Sequence, residues 1–291
     1  MENTYLLSTD HLEKVLWFRD KEDFKVAMNY IAIIAATRQA VAVLAFILMS
    51  NHVHFVLQGR REDIVAFLNE FKRCYSIYYR NKYGVAEFLK GNGVHIEQVT
   101  SLEEAIEKAI AYVIDNPVAA NICAHPCQYP WGTGNLYFNP QIRTGGIIGA
   151  LSERARLKTL HSKCDKVPAD WVLDPDGYIS PVNYVRIDTV ESIFKTPKRM
   201  DFFIRNSSKA KRVFESGCGL PSFQDQTVLI GIPDLIRSMF QKLHIADLSQ
   251  KELSELAKQL QFRYNSDATQ IARVCGVSYE DAAKLLDRFR I

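Results

Sequence analysis

The stretch Leu44-Ala45-Phe46-Ile47-Leu48-Met49-Ser50-Asn51-His52-Val53-His54-Phe55-Val56-Leu57 decides how the first half of this chain folds. An apolar run breaks at a Ser-Asn turn and resumes as a second strand. Successive side chains of a strand point to opposite faces, so His52 and His54 share one face and Val53 takes the other. Two neutral imidazoles at that separation form half of a divalent-metal site. By themselves they are equally two histidines on a half-polar strand, and a second element has to decide.

That element is Tyr112-Val113-Ile114-Asp115-Asn116-Pro117. Ser101 followed by Glu104 reads as a capping box, and Leu102, Ala105, Ile106, Ala109, Ile110 and Val113 form an apolar helical stripe. Pro117 disfavours helical geometry at the residue before it, so the helix is expected to stop at Asn116. Lys108, Tyr112 and Asn116 then follow one another at four-residue spacing beside the core stripe. A phenol and an amide oxygen are presented together at a helix end. Taken alone, the pair is also what an anchoring Tyr and a C-capping Asn would look like.

Together and in this order, Asn51-His52-Val53-His54-Phe55-Val56-Leu57 and Tyr112-Val113-Ile114-Asp115-Asn116-Pro117-Val118 resemble the motifs of the HUH single-strand transposases, in particular the REP-associated tyrosine transposases. Tyr129-Pro130-Trp131 matches the tail of that family's usual ending. The resemblance covers roughly residues 1–140. It implies a ferredoxin-like α+β fold, an antiparallel sheet with helices on one face. It also implies Tyr112 as the nucleophile, His52, His54 and Asn116 as metal ligands, and Mg²⁺ or Mn²⁺ as the cofactor. The implied reaction cleaves and rejoins single-stranded or hairpin DNA through a 5′-phosphotyrosine. One segment departs from the family pattern. Phe88-Leu89-Lys90-Gly91-Asn92-Gly93-Val94-His95 replaces a Gly-x-Leu-Trp-x-x-x-Phe type segment, so family contacts from that loop are not carried over.

Read for periodicity, the first 140 residues give a strand at Thr4–Leu7, a helix at about Lys21–Ala36 and strands at Val41–Met49 and His52–Leu57. A helix from about Asp63 to Tyr83 follows, and then the Tyr112 helix. The long helix is assigned a core face of Ile64, Phe67, Leu68, Phe71, Cys74, Ile77 and Tyr78. Its opposite side gathers Lys72, Arg73, Tyr75, Tyr79, Arg80, Lys82 and Tyr83. With Arg60, Arg61 and Lys108, the residues Lys72, Arg73, Tyr79 and Arg80 are the expected DNA contacts, because cations meet phosphates and rings stack on bases. A solvated helix face edged with tyrosines has the same appearance.

Length and composition set the frame. At 291 residues the chain exceeds the usual single domain, and 47% hydrophobic residues supply ample core. The expected division is a transposase-like unit (1–140), a linker and accessory region (141–235) and a helical unit (236–291). A net charge of +3 does not by itself argue for nucleic acid, and the positive excess lies after residue 150. No apolar run is long enough to span a bilayer and no leader is visible, so a cytoplasmic location is expected. The six cysteines are scattered; Cys123, His125 and Cys127 hint at zinc, but no second ligand pair follows at finger spacing, and reduced thiols are the reading preferred.

Gly132–Gly149 is Gly- and Asn-rich and marks a linker or an irregular wrap around the first unit. The basic clusters Lys195–Arg199 and Lys209–Arg212 read either as DNA-backbone contacts or as solvated surface. Near the end, Ser249, Ser266 and Ser278 are the expected caps of three helices, the last two joined by Gly276-Val277-Ser278. Ile271–Ser278 resembles a helix-turn-helix core, which makes duplex DNA a second expected partner, although Tyr279, Glu280 and Asp281 place acids where phosphate would lie. The two further readings are a non-catalytic DNA-binding regulator derived from a transposase and a metal-dependent single-strand nickase. Either a monomer or a homodimer is compatible with the sequence.

Overall fold

The computed structural model describes residues 3–10, 12, 16–86, 88–120, 122–164, 166–207, 225–264 and 266–287. Strand β1 (Asn3–Thr9) is followed by helix α1 (Lys21–Thr37), strands β2 (Ala42–Met49) and β3 (His52–Gly59), helix α2 (Arg61–Tyr83) and strand β4 (Val94–Val99). The four strands pair in the order β2-β3-β1-β4, every pair antiparallel. This is the ferredoxin-like βαββαβ arrangement, α+β in class. Helix α3 (Glu103–Ile114) and the single turn α4 (Asn116–Ala119) come next.

Local chemistry explains the boundaries. The Asp20 carboxylate accepts from the Asp23 amide at 2.9 Å, and the Asp23 carboxylate accepts in return from the Asp20 amide at 3.4 Å, a capping box that starts α1. Gly84, in the left-handed region at φ 72°, ends α2. Ser101 does not cap α3: the N-cap is Leu102, with no side-chain hydrogen bond to the helix, so that boundary is corrected by a residue.

Alternation assigns the two faces of the sheet. Phe55 packs edge-on against Phe67 and Phe71 of α2, which puts α1 and α2 on the face of Val53, Phe55 and Leu57. His54 meets the ring of Tyr112, so α3 lies on the other face. Helices on one face therefore describes α1 and α2, while α3 covers the imidazole side. Strand β4 was not expected from the sequence. Its alternation is short and its outward residues His95, Glu97 and Gln98 are exposed, as suits a sheet edge protected by polar groups.

The other edge, β2, is covered by the segment after α4. The Leu48 amide donates to Trp131 O at 2.9 Å and the Thr133 amide to Phe46 O at 3.1 Å. The Tyr129 hydroxyl donates to Leu48 O at 2.7 Å, and that of Tyr137 to Leu44 O. Between them Gly132 lies so close to β2 that a Cβ would stand 2.9 Å from Phe46 O. The Gly-rich stretch thus opens as a wrap. Trp131 stacks on Phe24 at 4.8 Å, fixing that wrap to α1.

The hydrophobic core runs without a break from Tyr5 to Ile204, taking in Val190, Phe194, Met200 and Phe203 beyond the sheet. These belong to α6 (Ile187–Phe194) and α7 (Pro197–Arg205), which follow α5 (Glu153–Leu160). The buried Asn29 of α1 ties this region down, donating to Thr159 O at 2.7 Å and accepting from the Ile179 amide at 2.8 Å.

A second core is formed by α8 (Asp225–Phe240), α9 (Gln250–Tyr264), α10 (Ala268–Cys275) and α11 (Tyr279–Asp287). The Ser249–Glu252 and Ser278–Asp281 caps form as expected. The α10 cap is Asp267, not Ser266: it accepts from the Gln270 amide at 2.7 Å. Gly276, at φ 69°, makes the turn between α10 and α11. Asp225 is fully buried and receives Arg273 at 2.9 Å and Gln270 at 2.8 Å. Ser50, in the β2–β3 turn, is a further hydrogen-bond partner of Asp225, and the Gln226 side chain donates to Phe18 O at 2.7 Å.

Candidate active site

The imidazoles of His52 and His54 lie with ring centroids 4.8 Å apart and planes at 90°. The Tyr112 ring stands edge-on to His54 at 5.6 Å. Asn116, one helical turn on, donates its side-chain amide to the carbonyls of Tyr112 at 2.8 Å and Val113 at 3.2 Å, closing the end of α3. That fixes the amide nitrogen on the helix end and turns the side-chain oxygen away from it. The strand hairpin and the helix end, 58 residues apart in sequence between His54 and Tyr112, meet on one face of the sheet.

Both rings are held through Nδ1. The His52 Nδ1–H donates to Asn51 Oδ1 at 2.8 Å, and Asn51 is oriented by its own amide donating to Leu12 O at 3.2 Å. His54 Nδ1 shares a hydrogen bond of 2.7 Å with Ser8 Oγ, directly across the β1–β3 ladder. The Asn51 oxygen, which can only accept, sets for His52 the tautomer that carries a lone pair on Nε2, as metal-binding histidines require. The Ser8 hydroxyl, able to accept or donate, is compatible with the same tautomer of His54. Two imidazoles on one strand face are half of a divalent-metal donor set, and Asn116 stands one helical turn beyond the tyrosine that meets His54. Burial raises the Tyr112 phenol above its ordinary value, so it is protonated at neutral pH.

The remaining expected contacts are dispersed. Lys108 lies on α3 beside Tyr112, paired with Glu104 at 2.7 Å. Arg60 and Arg61 lie at the far end of β3 from the histidines, roughly 20 Å away at the rise of a strand, and Arg60 is paired with Asp63 at 2.7 Å. Lys72, Arg73 and Arg80 are on α2, on the opposite side of the sheet. Lys72 is half-buried with its ammonium on Asn92 O, and burial lowers its pKa.

Tyr79 requires a correction. It is fully buried, its hydroxyl donates to Leu16 O at 3.1 Å, and its ring stacks on Phe88 at 3.7 Å. Tyr75 is likewise buried, its hydroxyl on Trp17 O, whereas Ile77, assigned to the core, is 40% exposed. The buried face of α2 turns toward its tyrosines because their hydroxyls satisfy carbonyls of the irregular 16–18 segment, a possibility no periodicity of apolar residues reveals. The departing segment at Phe88–His95 supplies Phe88 to this stack and is tied to Asp10 through Asn92 and Gly93.

The Lys195–Arg199 cluster is exposed along its length, as the solvated-surface reading has it, with two of its cations engaged in ion pairs. Lys195 pairs with Glu103 at 2.8 Å, and Arg199 binds the buried Glu107 through two hydrogen bonds, one of them 2.7 Å. Lys209–Arg212, Cys218 and Phe289 lie outside the described residues. No group of three or more His, Cys, Asp or Glu side chains able to hold a metal occurs among the described residues. Burial pushes the Cys123 thiol up to about 12. Among the described residues no helix is long and apolar enough to cross a membrane.

Ser8 and Glu107 were not singled out by sequence, and Asn51 and Arg199 entered only as parts of a motif and of a basic cluster, without the partners the fold gives them. Asn51 is adjacent to the histidines and is the one with a local signal. Ser8 depends on strand register, and the Glu107–Arg199 pair spans 92 residues.

No protein-family model matches the chain, and no curated protein matches it. Among solved structures, that of a REP-associated tyrosine transposase bound to a REP hairpin aligns at 15% identity, over 46% of this chain and 77% of the other, with a TM-score of 0.34. At that score the likeness carries no weight for function.

Proposed function

We propose that this protein is a single-stranded DNA strand-transfer enzyme of the tyrosine transposase type, acting at hairpin or repeat sequences. The observation that carries the reading is the Tyr112 ring against His54, 5.6 Å away, on the same sheet face as His52. The two sequence motifs that resemble those of the HUH transposases meet there, which supports the reading.

His52, His54 and the Asn116 side-chain oxygen would hold Mg²⁺ or Mn²⁺, which when bound withdraws charge from the scissile phosphate. Tyr112 attacks phosphorus through its phenolic oxygen. The O–P bond forms as the bond to the 3′-oxygen breaks, the phenolic proton passes to solvent, and a free 3′-hydroxyl leaves. The 5′-phosphotyrosine conserves the bond energy, so the reverse attack by a 3′-hydroxyl reseals a strand. Ser8 and Asn51 orient the rings, and the end of α3, closed by Asn116, aims the phenol. DNA is the proposed partner, as a single strand or hairpin at this site and as duplex at α10–α11.

Incubating labelled stem-loop oligonucleotides with Mn²⁺ tests the reading. A covalent adduct that maps to Tyr112, is absent in Tyr112→Phe and disappears with EDTA is expected. Strand hydrolysis without an adduct, or an undiminished adduct in Tyr112→Phe, overturns it.

A further inference from the structure

Beside Tyr112 lies a cavity of about 750 Å³, walled on one side by Lys108 and Tyr112 of α3 and on the other by Arg199, Phe202, Phe203 and Asn206. From the geometry we infer that it takes the nucleobase flanking the phosphate that Tyr112 attacks, with Phe202 as the stacking platform. The inference rests on the reading of Tyr112 given above.

The far wall is built to keep its place. Lys195–Glu103, Arg199–Glu107 and Ser207–Asp115 (2.7 Å) tie the segment carrying α7 to α3 at three points along its length. Glu107 and Asp115 are both buried, so two of these ties have their carboxylate end withdrawn from water. A wall held that firmly can present a ring without first having to be ordered.

The wall presents an aromatic side chain in an unusual way. Phe202 is 59% exposed at the cavity, meeting Phe203 edge-on at 5.6 Å, while Phe203 itself is buried beneath the Arg199 guanidinium at 5.4 Å. Exposed phenylalanine beside a reactive group suits a flat partner that covers it, and every base offers a π-face. Lys108 and Arg199 line the cavity as cations that phosphates on either side of that base could meet, although Lys108 is paired with Glu104, which also lines the cavity, and Arg199 with Glu107. The Asn206 amide nitrogen is held by Phe202 O at 2.7 Å, which presents its oxygen as an acceptor for an exocyclic amine. The volume falls among pockets that take small organic ligands. The wall comes from residues 197–207, outside the part of the chain whose motifs resemble the transposases, so it is a candidate source of this protein's own base preference.

The test uses the full chain, as wild type, Phe202→Ala and Phe202→Trp, with a stem-loop oligonucleotide bearing short single-stranded tails. Binding is followed by 2-aminopurine placed at successive tail positions, and adduct formation with Mn²⁺ is measured in parallel. Wild type and Phe202→Trp are expected to quench one position strongly. Phe202→Ala is expected to lose that quenching and to bind about 10- to 100-fold more weakly, the range for one stacked base. An abasic site at the same position is expected to weaken wild type equally and to leave Phe202→Ala unchanged. If Phe202→Ala binds and reacts as wild type does, or weakens intact and abasic strands alike, the inference fails while the Tyr112 adduct stands. If the position-specific quenching is seen but no adduct forms on any oligonucleotide, strand transfer fails and the base site stands. Loss of a dimer in Phe202→Ala without DNA, with DNA binding intact, would reassign the ring to a protein contact and overturn the proposal.

Discussion

Tyr79 separates two opposed accounts of α2. If its ring waits on the surface for a base, Tyr79→Ala should leave stability nearly intact and weaken single-strand binding by about 1–3 kcal/mol. The structure says otherwise: the side chain has no exposed surface, its hydroxyl satisfies a buried carbonyl, and its ring lies flat on Phe88. Truncating a buried aromatic costs about 3–5 kcal/mol in transfer and cavity terms. Tyr79→Phe keeps the ring and removes only the hydrogen bond, which strands the Leu16 carbonyl and costs about 1–2 kcal/mol. Out of a total stability of roughly 5–15 kcal/mol, the alanine variant gives up a large share. Urea denaturation followed by tryptophan fluorescence is the assay, because Trp17, Trp131 and Trp171 all belong to the first core and report on it alone. Binding of a labelled single strand, measured where each variant is fully folded, supplies the second axis. A Tyr79→Ala protein within about 1 kcal/mol of wild type in stability but tenfold or more weaker for DNA would refute the burial.

Three further outcomes are expected. Ser8→Ala, which releases His54 Nδ1, should lower Mn²⁺ affinity about 10-fold or more by isothermal titration, as loss of an outer-shell partner does, with the fold unchanged by circular dichroism. Arg199→Leu should strip hydrogen-exchange protection from residues 200–204 by leaving Glu107 buried beside no guanidinium, and Glu107→Leu/Arg199→Leu should restore much of it. For Asp225, burial opposes ionisation, but Arg273 and hydrogen bonds from Ser50 and Gln270 outweigh it and hold the carboxyl below its ordinary value. Its contribution is therefore complete above about pH 4 and lost as pH falls through the depressed value. Glu252, lowered to about 2 mainly by Lys242, adds in the same direction. Proteolysis between α8 and α11 should accordingly accelerate as pH drops from 4 toward 2, and in Asp225→Asn the acceleration should already be present at neutral pH.

Much of the site could be read from the chain because it rests on local rules. Alternation alone puts His52 and His54 on one face. Pro117 predicts a stop at Asn116, but α3 ends two residues earlier, at Ile114. Asn116 and Pro117 open the single turn α4, where a proline is tolerated because its missing N–H needs no partner. The strands β1, β2 and β3 and helices α1 and α2 follow from apolar periods. What periodicity misses is satisfied by partners far away in sequence. Tyr75 and Tyr79 look like surface residues until the 16–18 segment offers their hydroxyls carbonyls. Glu107 looks solvated until Arg199 arrives from another helix, and β4 is a strand only because β1 is there to pair with it.

The sequence by itself determined which residues carry reactive groups and which local turn or strand each occupies, since those depend on backbone sterics and neighbours a few positions away. Only the tertiary structure decided that α3 covers the imidazole face while α2 covers the other, that Ser8 holds His54, and that α7 stands beside Tyr112. Those are matters of strand register and long-range packing, where the free energy of a contact depends on a partner tens of residues away.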